Sequence, residues 1–271
     1  MNKVRFAQLI SFLNQDKFRR IVDKYRENRY VKHFTCWNQL FCLMFGQLSN
    51  RVSLRDLIVA LEGHKGKLYY LGLGKNVSKT TLAKSNQERD YHIFEEYAYF
   101  LVDKALRKCA TDIFKLGGNV YAFDSTTLDL CLNVFWWAKF RKKIGGIKVH
   151  TLYDVETQIS KFFHITEAKV HYSKAMKGIP YKPSAYYIFD RGYNDFKSLY
   201  HIHLVKAKFV VRAKKNLKYK AVKWKRRLPK NVLSDSTIEL TGNYPHKYYP
   251  EQFRLVRYRD GGAKTGVHIH H

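Results

Sequence analysis

The chain has 271 residues, of which 45% are hydrophobic and 15% are aromatic. This composition excludes a disordered chain and is sufficient for two packed domains. Its 50 Lys and Arg residues outnumber its 22 Asp and Glu residues, and the resulting formal net charge of +28 predicts a polyanionic partner, nucleic acid first and an anionic membrane surface second.

Two further observations argue against a membrane protein and a disulfide-bonded protein. No apolar run reaches the ~18–20 residues of a transmembrane helix, and the first residues lack the apolar core and cleavage site of a signal peptide. The four cysteines form no CxxC pair, which indicates neither a zinc ribbon nor a disulfide framework. We therefore expect a cytoplasmic protein without a membrane segment.

The first part of the chain has the apolar periodicity of helices. Helices are predicted around Phe18–Tyr25 and over Trp37–Leu48, Ser53–Leu61 and Tyr91–Lys108. A further helix is predicted to begin at Ser78, at the start of the run SKTTLA. A helix-turn-helix reader of DNA and an ordinary capped helix both fit this run, and ordinary caps of this composition are far commoner.

After the Gly117–Gly118 turn the apolar pattern changes from helical to alternating. Strands are predicted in Asn119–Leu132, where a second strand carries Leu128, Leu130 and Leu132 on one face, and over Lys148–Val155, Lys161–Thr166, Ala185–Phe189, Val205–Val211 and Phe253–Tyr258. A helix is predicted over Phe196–Leu204, whereas Val170–Lys177 is expected to be irregular. The predicted fold class is α/β (α+β overall), with a mixed sheet that has helices on its faces.

Four segments follow from these patterns. They are a helical N-terminal domain that binds DNA over residues 1–116, a core over residues 117–213, a basic β-rich segment over residues 214–260, and an irregular tail over residues 261–271. The three terminal histidines could bind metal, but a frayed terminus is the simpler interpretation.

The stretch Lys206–Lys230 contains twelve basic residues and no acid. A solvated charged face is the ordinary interpretation of such a run, but the run itself offers no carboxylate for pairing, which favours contact with phosphates. Tyr219 and Trp224 lie among these cations. They either stack on unpaired bases or form the buried side of a hairpin.

Two apolar runs each end on an aspartate, VYAFD at Asp124 and YYIFD at Asp190. Carboxylates at the ends of neighbouring strands hold hard divalent cations through oxygen, and such ions support phosphoryl transfer. An aspartate at a strand end is also a common turn cap, and spacing alone leaves both interpretations open.

Four segments in this order carry a resemblance to a known family. They are FDSTT around Asp124, GGIKVHTLYD at Gly145–Asp154, VHYSKAM at Val170–Met176 and YIFDRGYNDF at Tyr187–Phe196. Together they resemble the DDE transposases of bacterial insertion sequences, and the similarity extends from near the N-terminus to about Arg259. The resemblance implies a ribonuclease-H-like catalytic core with a mixed sheet, followed by a β-rich insertion that is incomplete here.

The resemblance also implies a reaction and a site. Asp124 and Asp190 would be catalytic and would hold two Mg²⁺ or Mn²⁺ ions, which serve to cleave DNA at transposon ends and to transfer strands to target DNA. The expected partners are terminal repeats and target DNA at the nucleoid, and a homodimer is compatible with the resemblance. We expect DNA contacts from a set of basic residues and one aromatic residue: Lys142, Lys143, Lys148, Arg191, Lys214, Lys215, Lys218, Lys220, Lys223, Trp224, Lys225, Arg226 and Arg227.

The third carboxylate of the family, a Glu on a helix with Tyr, Arg and Lys companions, has no counterpart that we identify in this sequence. Glu239 and Glu251 lie in strand-like or turn-like surroundings without such companions. We therefore expect a C-terminally truncated chain that is inactive in strand cleavage. The alternative is a non-enzymatic DNA-binding product that competes with the full-length transposase.

Overall fold

The computed structural model describes residues 8–65, 77–109, 116–130, 139–141, 144–259 and 265–270. The chain divides into two compact units, Met1–Lys104 and Ala105–His271. Among the described residues, no helix combines the length and the apolar content that crossing a bilayer requires.

The first unit is helical, as predicted. Its helices are α1 (Gln15–Tyr25), α2 (Cys36–Leu48), α3 (Leu54–Glu62), α4 (Lys79–Glu88) and α5 (His92–Leu106), the last of which continues into the second unit. Side chains cap the N-termini of the first four, because Asn14, Thr35, Ser53 and Ser78 each accept a hydrogen bond from a backbone N–H of the first turn. These caps explain why the helix starts were predictable.

Two apolar clusters form the core of the first unit. One contains Phe41, Leu57 and Leu82 from α2, α3 and α4, and the other contains Phe18 and Tyr97 from α1 and α5. A buried polar chain lies beside them: the Gln39 side chain donates to Asn86 at 2.7 Å and accepts from Arg89 at 2.8 Å. Hydrogen bonding of both ends of the Gln39 amide offsets the cost of burying it.

For the helix that begins after Ser78, the sequence left a helix-turn-helix and an ordinary capped helix open. Ser78 does cap α4, as predicted, and its hydroxyl accepts from the Thr81 N–H at 3.1 Å. Residues 66–76, between α3 and α4, lie outside the described residues, and residues 89–91 separate α4 from α5. The cap is common to both interpretations, so the helix-turn-helix stays an untested alternative for this segment.

The second unit contains a single mixed sheet. Its strands are β1 (Val120–Leu130), β2 (Lys139–Arg141), β3 (Ile144–Asp154), β4 (Ile159–Glu167), β5 (Tyr186–Phe189), β6 (Lys208–Arg212), β7 (Tyr219–Trp224), β8 (Val232–Leu240), β9 (Phe253–Arg259) and β10 (Thr265–His270). The order is β2-β3-β1-β5-β6-β10-β9-β8-β7, with β4 paired to β3. Strands β1, β3 and β4 are antiparallel, whereas β5 is parallel to β1 and β6 is parallel to β5. The predicted α/β fold with a ribonuclease-H-like mixed sheet is confirmed.

Within the described part of the second unit, three helices and a 3₁₀ turn accompany the sheet. They are α6 (Tyr172–Met176), the 3₁₀ turn Arg191–Tyr193, α7 (Phe196–Leu204) and α8 (Asn243–Tyr248). Side chains of α6 and α7, such as Met176 and Leu199, pack with Phe123, Tyr187 and Phe209 of the sheet. These alternate residues of β1, β5 and β6 form the covered face. Of the residues between them, Asp124 and Ile188 are exposed, whereas Ala122 and Val210 are partly buried.

The turn at the start of the sheet depends on two glycines, as the sequence indicated. Gly117 has φ +68°, a left-handed conformation that favours glycine. A Cβ on Gly118 would lie 2.1 Å from the Ser184 carbonyl oxygen, so the chain beside β5 leaves no room for a side chain. The close approach positions β1 next to β5.

Three predicted elements differ from the structure. The two strands predicted in Asn119–Leu132 are one strand through Leu130, and Leu132 lies outside the described residues. Val170–Lys177 is not wholly irregular, because it contains α6, whose start is capped by the His171 side chain. Helix α8 interrupts the segment predicted as β-rich.

The irregular tail is also wrong for residues 265–270, which form β10. This strand pairs with β6 on one side and β9 on the other, and Ile269 is fully buried. The pairing partners lie elsewhere in the chain, and the one local signal, Val267 and Ile269 alternating with histidines, is at the short end of the run that predicts a strand. Both His268 and His270 are strand residues, which removes the frayed terminus as their explanation.

Candidate functional site

The parallel pairing of β1 and β5 places the two aspartates side by side. The register runs from Val120 opposite Tyr186 to Phe123 opposite Phe189, and Asp124 and Asp190 are the next residue on each chain. Neighbouring strands lie about 4.8 Å apart, so the two carboxyl groups are within reach of a shared ligand. The sequence predicted the acids, and the register brings them together.

Both aspartates of this acid pair are exposed to solvent. The Asp124 carboxylate accepts a hydrogen bond from the Ser125 N–H at 2.7 Å. Asp190 precedes the 3₁₀ turn, but its side chain makes no capping hydrogen bond to it. The turn-cap interpretation therefore does not account for Asp190.

Tyr193 lies beneath the acid pair, and the charges of both aspartates affect the pKa of its hydroxyl. Burial raises the pKa of its hydroxyl to about 12, and the negative charges of Asp124 and Asp190 add to this rise while a hydrogen bond with Ser125 opposes it. The ring packs edge-on against Phe123, with 5.2 Å between the ring centroids. Both carboxylates therefore lie close to one buried hydroxyl.

His150 on β3 lies on the covered face of the sheet and contacts the Tyr193 hydroxyl. Its Nδ1 lies 3.4 Å from the Tyr193 hydroxyl and its Nε2 lies 3.0 Å from the Thr166 hydroxyl. Burial lowers the pKa of His150 to about 4, and the charges of His164 and Lys148 lower it further while Asp124 opposes them. The imidazole is therefore neutral near pH 7.

The acid pair fits a hard divalent cation in its chemistry. Both carboxylates offer oxygen ligands, both are solvent-accessible, and neither is held in an ion pair within the described ranges. No cluster of three or more His, Cys, Asp or Glu side chains with metal-binding geometry occurs in the part of the chain that the structure describes. Two carboxylates are fewer oxygen ligands than such an ion takes, so a site at this pair would need further ligands.

Most of the predicted DNA-contacting cations lie on or beside β7, the edge strand of the sheet. The exposed members of this basic edge are Lys214, Lys215, Lys218, Lys220, Lys223, Lys225, Arg226 and Arg227. An edge strand leaves one side of its backbone without a neighbouring strand, so these side chains are open to a large ligand. Arg191 is also exposed and follows Asp190 directly.

The two aromatic residues of the basic edge have different environments. Tyr219 is half-buried against the core, and its hydroxyl accepts from Arg257 at 3.1 Å. Trp224 is 68% exposed, so it does not belong to a buried side of the hairpin. Tyr219 therefore has a structural position, as in the buried-hairpin interpretation, whereas the accessible ring of Trp224 is compatible with base stacking.

Lys225 forms an ion pair that the sequence did not indicate. Its Nζ lies 3.3 Å from Asp235 on β8, a carboxylate outside the basic run that also accepts two hydrogen bonds from Arg254. The expectation that no acid pairs with this run is therefore wrong for Lys225. The hydrogen bond from Arg254 lowers the pKa of Asp235, so the carboxylate is ionised near neutral pH.

Lys148 is also placed differently from a phosphate-contacting side chain. It is 7% exposed, its Nζ donates to the Val170 carbonyl at 3.1 Å, and the ammonium lies 4.2 Å from the Tyr172 ring centroid. Burial lowers its pKa. This lysine holds the start of α6 against β3. Lys142 and Lys143 lie outside the described residues.

The sequence did not reveal Tyr193 and His150 as neighbours of the acid pair. Tyr193 belongs to the run FDRGYN and His150 to KVHTLYD, but neither stands out by periodicity or charge. The only available signal was that each lies within a segment that carries the family resemblance. Their proximity depends on the β1–β3 register, which pairs Ser125 with His150.

Two family models match the chain. A domain of unknown function, DUF4372, matches residues 1–74, and the model described as Transposase DDE domain matches residues 115–259. A similar curated protein is "Putative transposase y4zB" of Sinorhizobium fredii, which is 29% identical over 193 residues. The match covers 68% of this chain and 52% of that protein, so the chain spans about half the length of this relative.

Solved structures give weaker likenesses. The piggyBac transposase synaptic complex with hairpin DNA superimposes with a TM-score of 0.39 and 13% identity, covering 99% of this chain and 60% of that chain. Endonuclease V from Bacillus subtilis gives a TM-score of 0.29 and 12% identity, covering 67% of this chain and 76% of that chain.

Proposed function

The chain belongs to the DDE transposase family, and we propose that it binds duplex DNA at transposon ends and carries, in Asp124 and Asp190, two of the carboxylates that hold divalent ions for strand cleavage and transfer. The observation that carries this proposal is the parallel register that sets the two acids side by side. A homodimer on two transposon ends is part of the same proposal.

The chemistry of the acid pair supports a metal-dependent reaction. Two divalent ions, Mg²⁺ or Mn²⁺, would supply activation of an attacking hydroxyl and stabilisation of the leaving oxygen. Asp124 and Asp190 would hold them through carboxylate oxygens. Tyr193 and His150 support the strand ends from below, and the neutral imidazole adds no positive charge that would oppose cation binding.

The charge distribution supports DNA as the partner. Apart from Lys225, which pairs with Asp235, the basic edge presents exposed lysines and arginines, and Arg191 extends positive charge to the acid pair. Cations on an accessible surface displace the counterions of DNA and so favour association. Trp224 adds an accessible ring for contact with a base or sugar.

A second candidate function follows from the number of carboxylates at the candidate metal site. Within the described residues the acid pair lacks a third carboxylate, and two carboxylates hold a hard cation weakly. We therefore infer that the 271-residue chain assayed alone binds DNA and cleaves it poorly. Such a protein would compete with a cleavage-active transposase for the same sites.

Binding is tested by titrating labelled duplex DNA at several salt concentrations. Lys223→Gln/Arg226→Gln on the basic edge is expected to weaken binding and to reduce the slope of log K against log salt by about two, since each lost phosphate contact removes about one. The matched control is Lys169→Gln/Lys208→Gln, whose cations interact with Glu167 and Tyr186. Equal slopes for the two double variants would contradict a phosphate-binding role of the edge.

Cleavage is tested with supercoiled plasmid and Mg²⁺ or Mn²⁺, alongside Mn²⁺ binding measured by calorimetry. Asp124→Asn/Asp190→Asn is expected to weaken Mn²⁺ binding and to leave DNA affinity unchanged or higher. The wild-type chain is expected to nick DNA no faster than this variant. Metal-dependent nicking that Asp124→Asn abolishes would refute the inference of poor cleavage, and unchanged Mn²⁺ binding would refute the metal site.

A further inference from the structure

A cationic turn follows α1 in the first unit and contains none of the DNA- or metal-binding residues assigned above. The basic turn comprises residues 26–33, in which Arg26, Arg29, Lys32 and His33 are exposed. It lies within residues 1–74, the part matched by a domain of unknown function. None of the acid-pair or basic-edge residues belongs to this unit.

The cations of the basic turn differ from those of the helix before it. On α1, Arg19 pairs with Asp16 at 2.8 Å and Lys24 pairs with Glu96 at 2.8 Å. Within the described ranges, by contrast, no carboxylate lies in ion-pair contact with Arg26, Arg29 or Lys32. Their charge is therefore available to an external anion.

The backbone of the basic turn is held in place from both sides. The Asn28 side chain accepts from the Cys36 N–H at 3.0 Å, and the Glu27 carboxylate accepts from the Asp90 N–H at 3.3 Å. Inside the turn, the Arg29 N–H donates to the Arg26 carbonyl at 3.2 Å. A turn fixed in this way presents its side chains with little further loss of backbone entropy on binding.

Two non-glycine residues of the turn have left-handed backbone conformations. Arg26 has φ +57° and Tyr30 has φ +64°, a region that bulky residues seldom adopt. Tyr30 is 84% exposed, so packing of its ring does not explain why a tyrosine occupies the position. The Arg29 guanidinium lies over this ring at 5.0 Å from the centroid, so the ring and the guanidinium form one exposed group.

The two arginines also line a concave surface. A hollow of about 510 Å³ is bounded by Asp23, Arg26, Asn28 and Arg29. It contains two guanidinium groups against one carboxylate, so its net charge is positive. Guanidinium groups bind phosphate through paired N–H donors, which suits this hollow to one phosphate of a nucleic acid backbone.

We propose that the basic turn is a second DNA-contacting surface, in which Arg26 and Arg29 bind backbone phosphate of duplex DNA and Tyr30 contacts the adjoining sugar or phosphate. The choice of duplex DNA as the polyanion rests on the proposed function. The surface differs from the helix-turn-helix alternative, because it uses the turn after α1 and not the helix that begins after Ser78. It gives the first unit a role of its own in holding DNA.

The test is salt-dependent binding of labelled duplex DNA by the full chain. Arg26→Gln/Arg29→Gln is expected to weaken binding at least tenfold at physiological salt and to reduce the slope of log K against log salt by about two. The matched control is Arg19→Gln/Lys24→Gln, which removes the same charge from ion-paired positions of α1 and is expected to leave the slope nearly unchanged. Circular dichroism checks that both variants are folded.

A second variant separates the Tyr30 ring from the backbone. Tyr30→Gly keeps the left-handed conformation without strain, so it is expected to preserve folding and weaken DNA binding severalfold. Wild-type DNA affinity in this variant and in Arg26→Gln/Arg29→Gln would overturn the proposal while leaving the proposed function intact. Absence of DNA binding by the wild-type chain would overturn both.

Competition experiments show which class of polyanion the basic turn prefers. Single-stranded RNA and phosphatidylserine vesicles are titrated against the bound duplex, with the wild type and Arg26→Gln/Arg29→Gln in parallel. Duplex DNA is expected to bind most tightly and to be the ligand most affected by the substitutions. A larger effect of the substitutions on RNA or on vesicles would overturn the assignment to DNA.

Discussion

His150 is an ionisable side chain that the fold keeps neutral. The imidazole is fully buried, its two nitrogens lie near the Tyr193 and Thr166 hydroxyls, and its pKa is lowered to about 4. In the unfolded chain a histidine has a pKa of about 6.5. Folding therefore excludes a proton that the unfolded chain binds in mildly acidic solution.

This exclusion predicts a pH-dependent stability. The contribution of His150 is fully present above about pH 6.5 and is lost progressively as the pH falls toward 4, because the unfolded state then binds more protons than the native state. The loss amounts to roughly 2–3 kcal/mol for a shift of this size. His150→Gln should reduce the dependence of the unfolding free energy on pH across this interval, as measured by urea denaturation at pH 7, 5.5 and 4.

The control for this measurement is His33→Gln, which replaces an exposed imidazole in the first unit. It should follow the wild-type pH dependence. If His150→Gln lost stability with the same pH slope as the wild type, the imidazole would not be the group that resists protonation.

Single residues also show what the sequence could and could not predict about the site. Asp124 and Asp190 were predictable because each ends an apolar run. Tyr193 and His150 were not, since burial and strand register create their proximity to the acids. Lys148 was misinterpreted because charge alone does not reveal that its ammonium binds the Val170 carbonyl.

At the scale of elements, β10 connects two parts of the sheet. It pairs with β6 on one side and β9 on the other, so β7, β8 and β9 join the remaining strands through it. Ile269 is fully buried in the apolar cluster that also contains Val211 and Leu255. The strand therefore contributes to the core as well as to the backbone ladder.

Truncation of Ile269 tests this placement. Ile269→Ala should cost about 2–4 kcal/mol of unfolding free energy, because it removes a buried side chain and leaves a cavity between two paired strands. The measurement is chemical denaturation monitored by circular dichroism.

The control is Leu233→Ala on β8, where the side chain is 48% exposed, and the expected change is below about 0.5 kcal/mol. Equal, small effects of the two substitutions would indicate that residues 265–270 are frayed in solution.

Elements with local signals were predicted well. The helix Phe196–Leu204 has its predicted bounds because Asp195 caps it, with its carboxylate accepting from the Ser198 N–H at 3.1 Å. Helix α6 has only five residues, too few for an apolar period to be visible. Strand β10 depends on partners from distant parts of the sequence, which local propensity does not encode.

At the scale of the whole molecule, the net charge of +28 opposes compactness. Charge repulsion acts over a screening length of about 30 Å at 0.01 M salt and about 8 Å at 0.15 M. The melting temperature should therefore rise when NaCl is increased between these concentrations, by roughly 2–4 °C for each 1 kcal/mol of repulsion removed. Differential scanning calorimetry measures this shift.

The matched comparison uses the basic edge. Lys223→Gln/Arg226→Gln removes two exposed charges and should reduce the response of the melting temperature to salt. A melting temperature that falls with added NaCl would show that attractive ion pairs outweigh repulsion across the molecule.

The position of β10 in the sheet has a consequence for the order of folding. Its partner β6 lies before β7, β8 and β9 in the sequence, so the pairing of β6 with β10 joins distant parts of the chain. Such non-local pairing is slow. Until β10 is inserted, the backbone groups of β6 and β9 that it later pairs remain open edges. Open edges of this kind pair readily with other chains. The yield of refolded protein should therefore depend on how quickly β10 pairs with β6 and β9. The net charge of +28 opposes association of the chains in the meantime.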